Sequence, residues 1–179
     1  FTDKLEESTI DQVLHTYLNL FIDGSAGGAF HGLIRLGYAY ELKDQEEVAK
    51  ALAYMAECYK PFPRSEAVKE APVMDPINGV LALSSMNYFK TKEFNRDLII
   101  GRMEDIYEDP EFEKVVTRLN ANHCNIQYFS ELVLKLYALT SDFTMLHGFT
   151  STHALRILSP LIDDFANVLQ LHWYHLQLA

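Results

Sequence analysis

The stretch Gly27–Glu41 reads Gly-Gly-Ala-Phe-His-Gly-Leu-Ile-Arg-Leu-Gly-Tyr-Ala-Tyr-Glu. It places a histidine and an arginine in an otherwise apolar segment, which we expect to form a central helix from about Ala29 to Leu42. His31 and Arg35 are four residues apart, so they share one face of that helix. Glycines recur at every fourth position (Gly24, Gly28 and Gly32), a spacing that lets another backbone approach closely.

The rest of the chain shows helical periodicity with almost no strand pattern. Asp44 is expected to cap a helix, the proline-rich segment Lys60–Asp75 to form a long loop, and Asp109-Pro110 to begin a helix that runs through Leu119. We therefore predict an all-α fold of about eight helices. Residues 1–179 are expected to form a single domain, because this length suits one hydrophobic core.

Composition narrows the class of protein. The chain is 49% hydrophobic and 22% charged, with a net charge of −10, a balance typical of globular proteins. The negative charge argues against a nucleic-acid partner, and no apolar run is long enough to cross a membrane. Cys58 and Cys124 stand in unrelated contexts, which predicts reduced thiols in a cytoplasmic protein.

A second segment that could carry chemistry extends from Phe143 to Leu158 and contains His147, His153 and Arg156. Two histidines six residues apart would face different directions on one continuous helix. The glycine and the Thr/Ser cluster between them suggest instead that His147 lies in a turn. A new helix would then begin at Thr150 or Ser151, and the two imidazoles could converge.

These residue types suit two kinds of chemistry. Neutral imidazoles can hold a transition metal such as iron and leave positions open for oxygen. Alternatively, histidine acts as a general acid or base while arginine binds an anionic or phenolate oxygen. A purely structural role is also open for Arg35 and Arg156, as members of buried ion pairs. Their available partners are Glu41, Glu131, Asp163 and Asp164.

The other histidines carry weaker signals. His172 and His175 flank Trp173 in the last helix, and we expect them to pack at a surface or an interface. His15 is expected to be structural. His123 adjoins Cys124, but no further ligand stands at zinc spacing.

The two segments together resemble the questin oxidase-like family. The resemblance rests on the sequence from Gly28 to Glu41 and on Leu-His-Gly-Phe-Thr-Ser-Thr-His-Ala-Leu-Arg, residues 146–156, and it extends from about Leu14 to Trp173. Proteins of this family resemble fungal enzymes that oxidatively cleave anthraquinone-type rings. The resemblance implies an oxygen-dependent oxidoreductase, of the mono- or dioxygenase type, whose substrate is a flat polycyclic phenol or quinone.

The resemblance also implies cofactors and roles. Some members are NADPH-dependent Baeyer–Villiger-type oxidases, and one branch resembles non-haem iron oxygenases with several histidine ligands and a modified lysine. On that basis His31, His147 and His153 are expected as metal ligands. Arg35 and Arg156 are expected to support those ligands or to orient the substrate.

The chain departs from the family in two ways. Members are longer, with a histidine-containing segment upstream and a His-x-x-Lys segment downstream. Neither is present here, so we expect the chain to be a fragment of a longer protein. The sequence also has no Gly-x-Gly-x-x-Gly motif after a strand, which disfavours a Rossmann-type NADPH site and favours metal-assisted oxygen chemistry.

Three hypotheses follow. The first is an oxidoreductase whose site is lined by His31, His147 and His153. The second is a non-catalytic helical domain that binds a small hydrophobic ligand. The third is that the glycine pattern and an exposed C-terminal helix serve homo-oligomerisation.

Overall fold

The computed structural model describes residues 1–120 and 124–179. These residues form a predominantly helical fold with two short strands, which confirms the predicted all-α class, although the eleven α-helices exceed the expected eight or so. The helices are α1 (Thr2–Glu7), α2 (Ile10–Phe21), α3 (His31–Glu41), α4 (Gln45–Glu57), α5 (Glu66–Lys69), α6 (Pro76–Ser85), α7 (Asn87–Thr91), α8 (Ile99–Tyr107), α9 (Ile126–Thr140), α10 (Phe143–Leu158) and α11 (Phe165–Leu178). Short 3₁₀ turns occupy Ile22–Gly24, Phe112–Lys114 and Ser159–Leu161.

The centre of the fold is built on α3, which packs against both α4 and α10. Gly32 and Gly37 make these contacts close. A Cβ atom on Gly32 would lie 2.5 Å from Cγ of Met55 in α4, and one on Gly37 would lie 2.5 Å from Cβ of Ala154 in α10. Because neither glycine has a side chain, both neighbouring helices can approach the α3 backbone directly.

The helix α10 corrects the expected turn near Gly148. It is continuous from Phe143 to Leu158, so the prediction of a new helix at Thr150 or Ser151 is wrong. Asp142 caps it by accepting a hydrogen bond from the backbone N–H of Met145. The hydroxyls of Thr150 and Thr152 each bond to a carbonyl four residues earlier in the same helix, so they do not break it.

Other helix boundaries agree with the local sequence signals in one case and differ from them in another. Asp44 caps α4 as expected, by accepting from the N–H of Glu47. The helix expected from Asp109-Pro110 through Leu119 is wrong. The segment forms a 3₁₀ turn and then the strand Arg118–Leu119, which pairs in parallel with Val73–Met74. The predicted loop Lys60–Asp75 contains that partner strand and α5.

Two hydrophobic clusters fill the interior, and α11 contributes to both. Val168, Leu169 and Trp173 belong to the larger cluster, which surrounds α3, α4 and α10. Leu171, Tyr174 and Leu178 belong to the smaller one, which lies against α8. The C-terminal helix is therefore buried rather than exposed. Within residues 1–120 and 124–179, no helix has the length and apolar character that a membrane span requires.

Candidate functional site

The two signature segments meet where α3 begins. His31 is the first residue of α3, and His147 lies one turn into α10. Their Nε2 atoms are 3.0 Å apart, although 116 residues separate them along the chain. The fold therefore brings one histidine from each segment into direct contact.

The contacts of His147 define how this pair shares its protons. Nδ1 of His147 lies 2.8 Å from the carbonyl oxygen of Phe143, which can only accept, so Nδ1–H donates. A neutral His147 then has a bare Nε2, and the Nε2–H of His31 donates to it. Nδ1 of His31 is left as an acceptor. The pair is thus arranged for proton transfer from one ring to the other.

Burial differs between the two rings. His147 is 6% exposed, whereas His31 faces solvent on one side. Partial burial, followed by the neighbouring His147, lowers the pKa of His31 below its ordinary value. His31 is therefore neutral near pH 7, which is the form that can accept a proton.

The third predicted ligand, His153, lies elsewhere. Its Nε2–H donates to Glu41 at 3.3 Å, and its Nδ1 accepts from Nη2 of Arg156 at 3.2 Å. His153 is six residues after His147 on the continuous helix α10. This separates the two residues by about 9 Å along the helix axis and by about 120° around it. The expected convergence of three imidazoles does not occur, because it required the helix to break between them.

The predicted arginines make polar contacts near the surface. Arg35 donates to one oxygen of Glu47, from Nη2 at 2.7 Å and from Nε at 3.2 Å. Its side chain is 44% exposed, so this ion pair is not buried, and its partner is none of the four carboxylates expected. Arg156 is half-buried beside His153, whose ring centroid lies 5.9 Å from that of Tyr38.

An iron ion needs several nitrogen or oxygen ligands around one point. Two nitrogen ligands at right angles, with bonds of about 2.1 Å, lie about 3.0 Å apart, so the spacing of His31 and His147 suits two neighbouring positions. Among the residues that the structure describes, however, no group of three or more His, Cys, Asp or Glu side chains could hold a metal ion. These residues therefore do not complete an iron site.

Two buried histidines were placed wrongly by sequence reasoning. His172 and His175 are 2% and 0% exposed, rather than at a surface. His172 Nε2 is 2.8 Å from Oγ1 of Thr152, but its Nδ1 and both ring nitrogens of His175 find no hydrogen-bond partner within the described residues. Burial lowers the pKa of each to about 3. The sequence does contain a signal for this burial: α11 has apolar residues on every side, and such a helix is usually buried.

The remaining candidates contribute nothing to the pair. Nε2 of His15 lies 3.0 Å from Oδ1 of Asp163 at the surface. His123 lies outside the described residues. Cys58 and Cys124 are both free thiols, and burial raises the pKa of Cys124 to about 11, which makes it unreactive.

An apolar cavity of about 330 Å³ lies on another side of α10. Met145 lines it, together with aliphatic and aromatic side chains of α6, α7, α9 and α11 that include Phe89, Leu136 and Trp173. Met145 and His147 are two residues apart on the helix, so they point in nearly opposite directions. The cavity is therefore separate from the histidine pair.

Comparison with curated proteins and with solved structures gave no match. The family model described as questin oxidase-like matches residues 1–136. The matched residues include His31 and Arg35, whereas His147, His153 and Arg156 lie beyond them. Membership of this family indicates a function of the oxidoreductase type. The match covers most of the 179 residues, and the chain belongs to the questin oxidase-like family.

Proposed function

We propose that this protein is an oxidoreductase that uses oxygen to oxidise a flat polycyclic phenol or quinone, and that His31 and His147 form its proton-transfer pair. The observation that supports this most directly is the 3.0 Å contact between their Nε2 atoms. Two ring nitrogens at this distance share one proton, and the outer ring remains open to a substrate.

The pair can remove a proton from a phenol in one concerted step. The phenol O–H bond breaks and its proton goes to Nδ1 of His31, while the Nε2 proton of His31 passes to Nε2 of His147. The products are a phenolate and a protonated His147, whose Nδ1–H donates to the Phe143 carbonyl. A phenolate gives up electrons to oxygen more readily than the phenol does.

An exposed aromatic ring next to the pair offers a place for a flat substrate. Phe143 is 68% exposed, and its ring meets the His147 ring edge-on at 4.6 Å. We infer that the substrate stacks on this ring. Tyr38 and Arg156 both lie beside His153, about 10 Å along α3 from His31 and about 14 Å along α10 from His147, so a substrate held at the pair is out of their reach.

Iron and NADPH are proposed as cofactors on the strength of the family alone. Iron would supply oxygen activation at its open positions. The Nε2 atoms of His31 and His147 would bind it only in place of the proton that they share, so iron binding and proton transfer by this pair are alternatives. Because the described residues bring no third donor, the proton-transfer step above depends on the two histidines only. Metal analysis of the native protein tests the iron proposal: absence of iron, with oxidation that survives chelation, would end it.

The test of the main proposal is oxygen consumption with a panel of hydroxyanthraquinones. We expect His31→Gln and His147→Gln each to lower kcat by about 100-fold or more, the usual contribution of a general base. His15→Gln is the matched control, because it removes a surface imidazole outside the pair. The proposal would be contradicted if both pair variants kept full activity toward a substrate that the native protein oxidises.

The apolar cavity favours a second candidate, a non-catalytic domain that binds a small hydrophobic ligand. Its volume of about 330 Å³ is in the range of small-molecule sites, and Trp173 lines it. Trp173 is the only tryptophan in the sequence, so its fluorescence reports occupancy. Quenching by anthraquinone that persists in His31→Gln, without turnover in any variant, would favour this candidate.

A further inference from the structure

The backbone immediately before His31 is strained. Gly28, Ala29 and Phe30 have φ values of 59°, 56° and 65°, so three consecutive residues lie in the left-handed region. The conformation is unfavourable for Ala29 and Phe30, because in the left-handed region a Cβ atom lies too close to the following carbonyl oxygen. Such strain persists only where the surrounding structure holds it, and it is concentrated at functional sites.

This left-handed turn sets the direction in which α3 begins. Phe30 is the residue that precedes the helix, and its carbonyl accepts the hydrogen bond of Ile34 at 2.9 Å. The N–H of His31 bonds back to the carbonyl of Gly28 at 3.3 Å. The position of the His31 imidazole therefore follows from the conformation of residues 28–30.

The ring of Phe30 anchors the turn in the core. It is 0% exposed, and its centroid lies 5.8 Å from that of His172 and 6.4 Å from that of His175. The first contact is edge-on, at an interplanar angle of 78°. The Phe30 ring is thus surrounded in part by the imidazoles of His172 and His175. These two buried rings take no part in the proposed proton transfer.

His172 also contacts the segment that carries the other histidine of the pair. Its Nε2–H donates to Oγ1 of Thr152, and the Thr152 hydroxyl donates to the carbonyl of Gly148 at 2.7 Å. Gly148 follows His147 directly. One side chain of α11 therefore contacts both Phe30, which precedes His31, and the helix turn that follows His147.

We propose that Phe30 is a positioning residue: held by His172 and His175, its ring keeps the left-handed turn in place and so aims His31 at His147. Loss of this anchor lets Ala29 and Phe30 relax to negative φ, which moves the start of α3 and separates the two Nε2 atoms. The catalytic consequence rests on the proposed function, whereas the geometry can be measured without any turnover.

Phe30→Leu and Phe62→Leu form a matched pair of variants. Both phenylalanines are almost completely buried in the same cluster, and the Phe62 ring lies 6.0 Å from His175. Only Phe30 belongs to the left-handed turn. Truncation of either ring should therefore cost similar stability, but only Phe30→Leu should disturb the histidine pair.

The readout is ring ¹⁵N NMR of labelled protein at pH 8. In the native protein we expect His31 protonated on Nε2, His147 protonated on Nδ1, and a nitrogen–nitrogen coupling across the hydrogen bond. Phe30→Leu should abolish the coupling and leave His31 with mixed tautomers, while Phe62→Leu retains the native pattern. If Phe30→Leu does not fold, Phe30→Met replaces it.

Three results would overturn the proposal: no coupling in the native protein, a native pattern in the folded Phe30 variant, or equal loss in Phe62→Leu. Where the native protein turns over a substrate, Phe30→Leu should lower kcat on the order of 100-fold with KM unchanged, the effect of a misplaced catalytic group. Absence of turnover in all proteins contradicts the proposed function, while the NMR result still decides the role of Phe30.

Discussion

His147 and His153 lie on one helix, six residues apart, and their ring nitrogens have different partners. His147 bonds to a backbone carbonyl and to His31, whereas His153 bonds to Glu41 and Arg156. The first ring has a nitrogen free to receive a proton from its neighbour, but both nitrogens of the second are engaged by charged groups. The partners of each ring, rather than the residue type, thus separate a candidate proton acceptor from a side chain in a polar surface cluster.

The hydrogen bond between Thr152 and His172 yields a stability prediction. Thr152→Val keeps the shape of the side chain but removes its hydroxyl, so Nε2–H of the buried His172 loses its acceptor. A buried donor without a partner costs about 1–3 kcal/mol, and we expect that decrease in the free energy of unfolding, measured by urea denaturation.

Thr150→Val is the control for this variant. The Thr150 hydroxyl is half-buried and bonds to the carbonyl of Leu146 within its own helix. Its loss should change stability by no more than about 0.5 kcal/mol. Equal effects of the two substitutions would show that the Thr152–His172 bond adds nothing specific.

The buried histidines also predict how stability depends on pH. In the folded protein the pKa values of His172 and His175 are about 3, against about 6.5 in the unfolded chain. Between these values the unfolded state binds more protons, so stability is complete above pH 6.5 and falls as the pH decreases. From pH 6.5 to 5.5 the loss should be about 1 kcal/mol for each histidine.

Urea denaturation at several pH values measures this slope. His175→Leu should reduce the loss between pH 6.5 and 5.5 by about 1 kcal/mol, the share of one buried histidine, while His172 and His31, whose pKa values are also lowered, still contribute. Few carboxylates titrate in this range, so they contribute little. An unchanged slope in the variant would mean that His175 is not held neutral by the fold.

At the scale of elements, the contact between α3 and α10 decides whether the histidine pair can form. Residues 31 and 37 of α3 lie against residues 147 and 154 of α10, so the two helices run side by side in the same direction. Because Gly37 lets the backbones of α3 and α10 approach each other, the imidazole of His31 at the start of α3 can reach that of His147 in α10.

Two glycines in this region should respond differently to a methyl group. In Gly37→Ala the new Cβ would lie 2.5 Å and 2.7 Å from Cβ and Cα of Ala154, which the backbone cannot easily accommodate. We expect the gain in helix propensity, about 1 kcal/mol, to be exceeded by the overpacking, giving a net loss of about 1–3 kcal/mol.

Gly148→Ala is the matched substitution in α10. Its nearest contact would be a Leu176 methyl group at 3.3 Å, which can shift. Stability should be unchanged or rise by up to about 1 kcal/mol. Thermal unfolding followed by circular dichroism distinguishes the two variants, and a stable Gly37→Ala protein would show that the close approach is not required.

At the scale of the whole molecule, α11 connects the two hydrophobic clusters. Trp173 lies in the larger one, and Tyr174, the next residue, in the smaller one. A helix shared in this way makes each cluster depend on the other. We therefore keep the prediction that the chain is a single cooperative domain.

Unfolding followed by two probes tests this prediction. Trp173 fluorescence reports on the larger cluster, and far-ultraviolet circular dichroism reports on all helices. The two urea transitions should coincide, as they do in a two-state system. A fluorescence transition that is separate from the loss of helix would show that the clusters unfold independently.

Sequence patterns predicted those features of the whole molecule that depend on neighbouring residues. The all-α class, the cap at Asp44 and the close approach at Gly32 follow from local patterns, and the structure contains all three. Gly24 and Gly28 precede α3, so the expected spacing of glycines does not lie on one helix face. The helix expected after Asp109-Pro110 failed for a tertiary reason. That segment pairs with Val73–Met74 and bonds to Gln170 and Gln177, partners that no local pattern reveals.

The sequence by itself determined that this chain is helical, that it belongs among questin oxidase-like proteins, and that two histidine-bearing segments are unusual. Only the tertiary structure decided which histidines meet. Helical periodicity specifies the face on which a residue lies, but not the helix that packs against that face. The contact of His31 with His147, the separation of His153, and the burial of His172 and His175 all depend on how α3, α10 and α11 pack together.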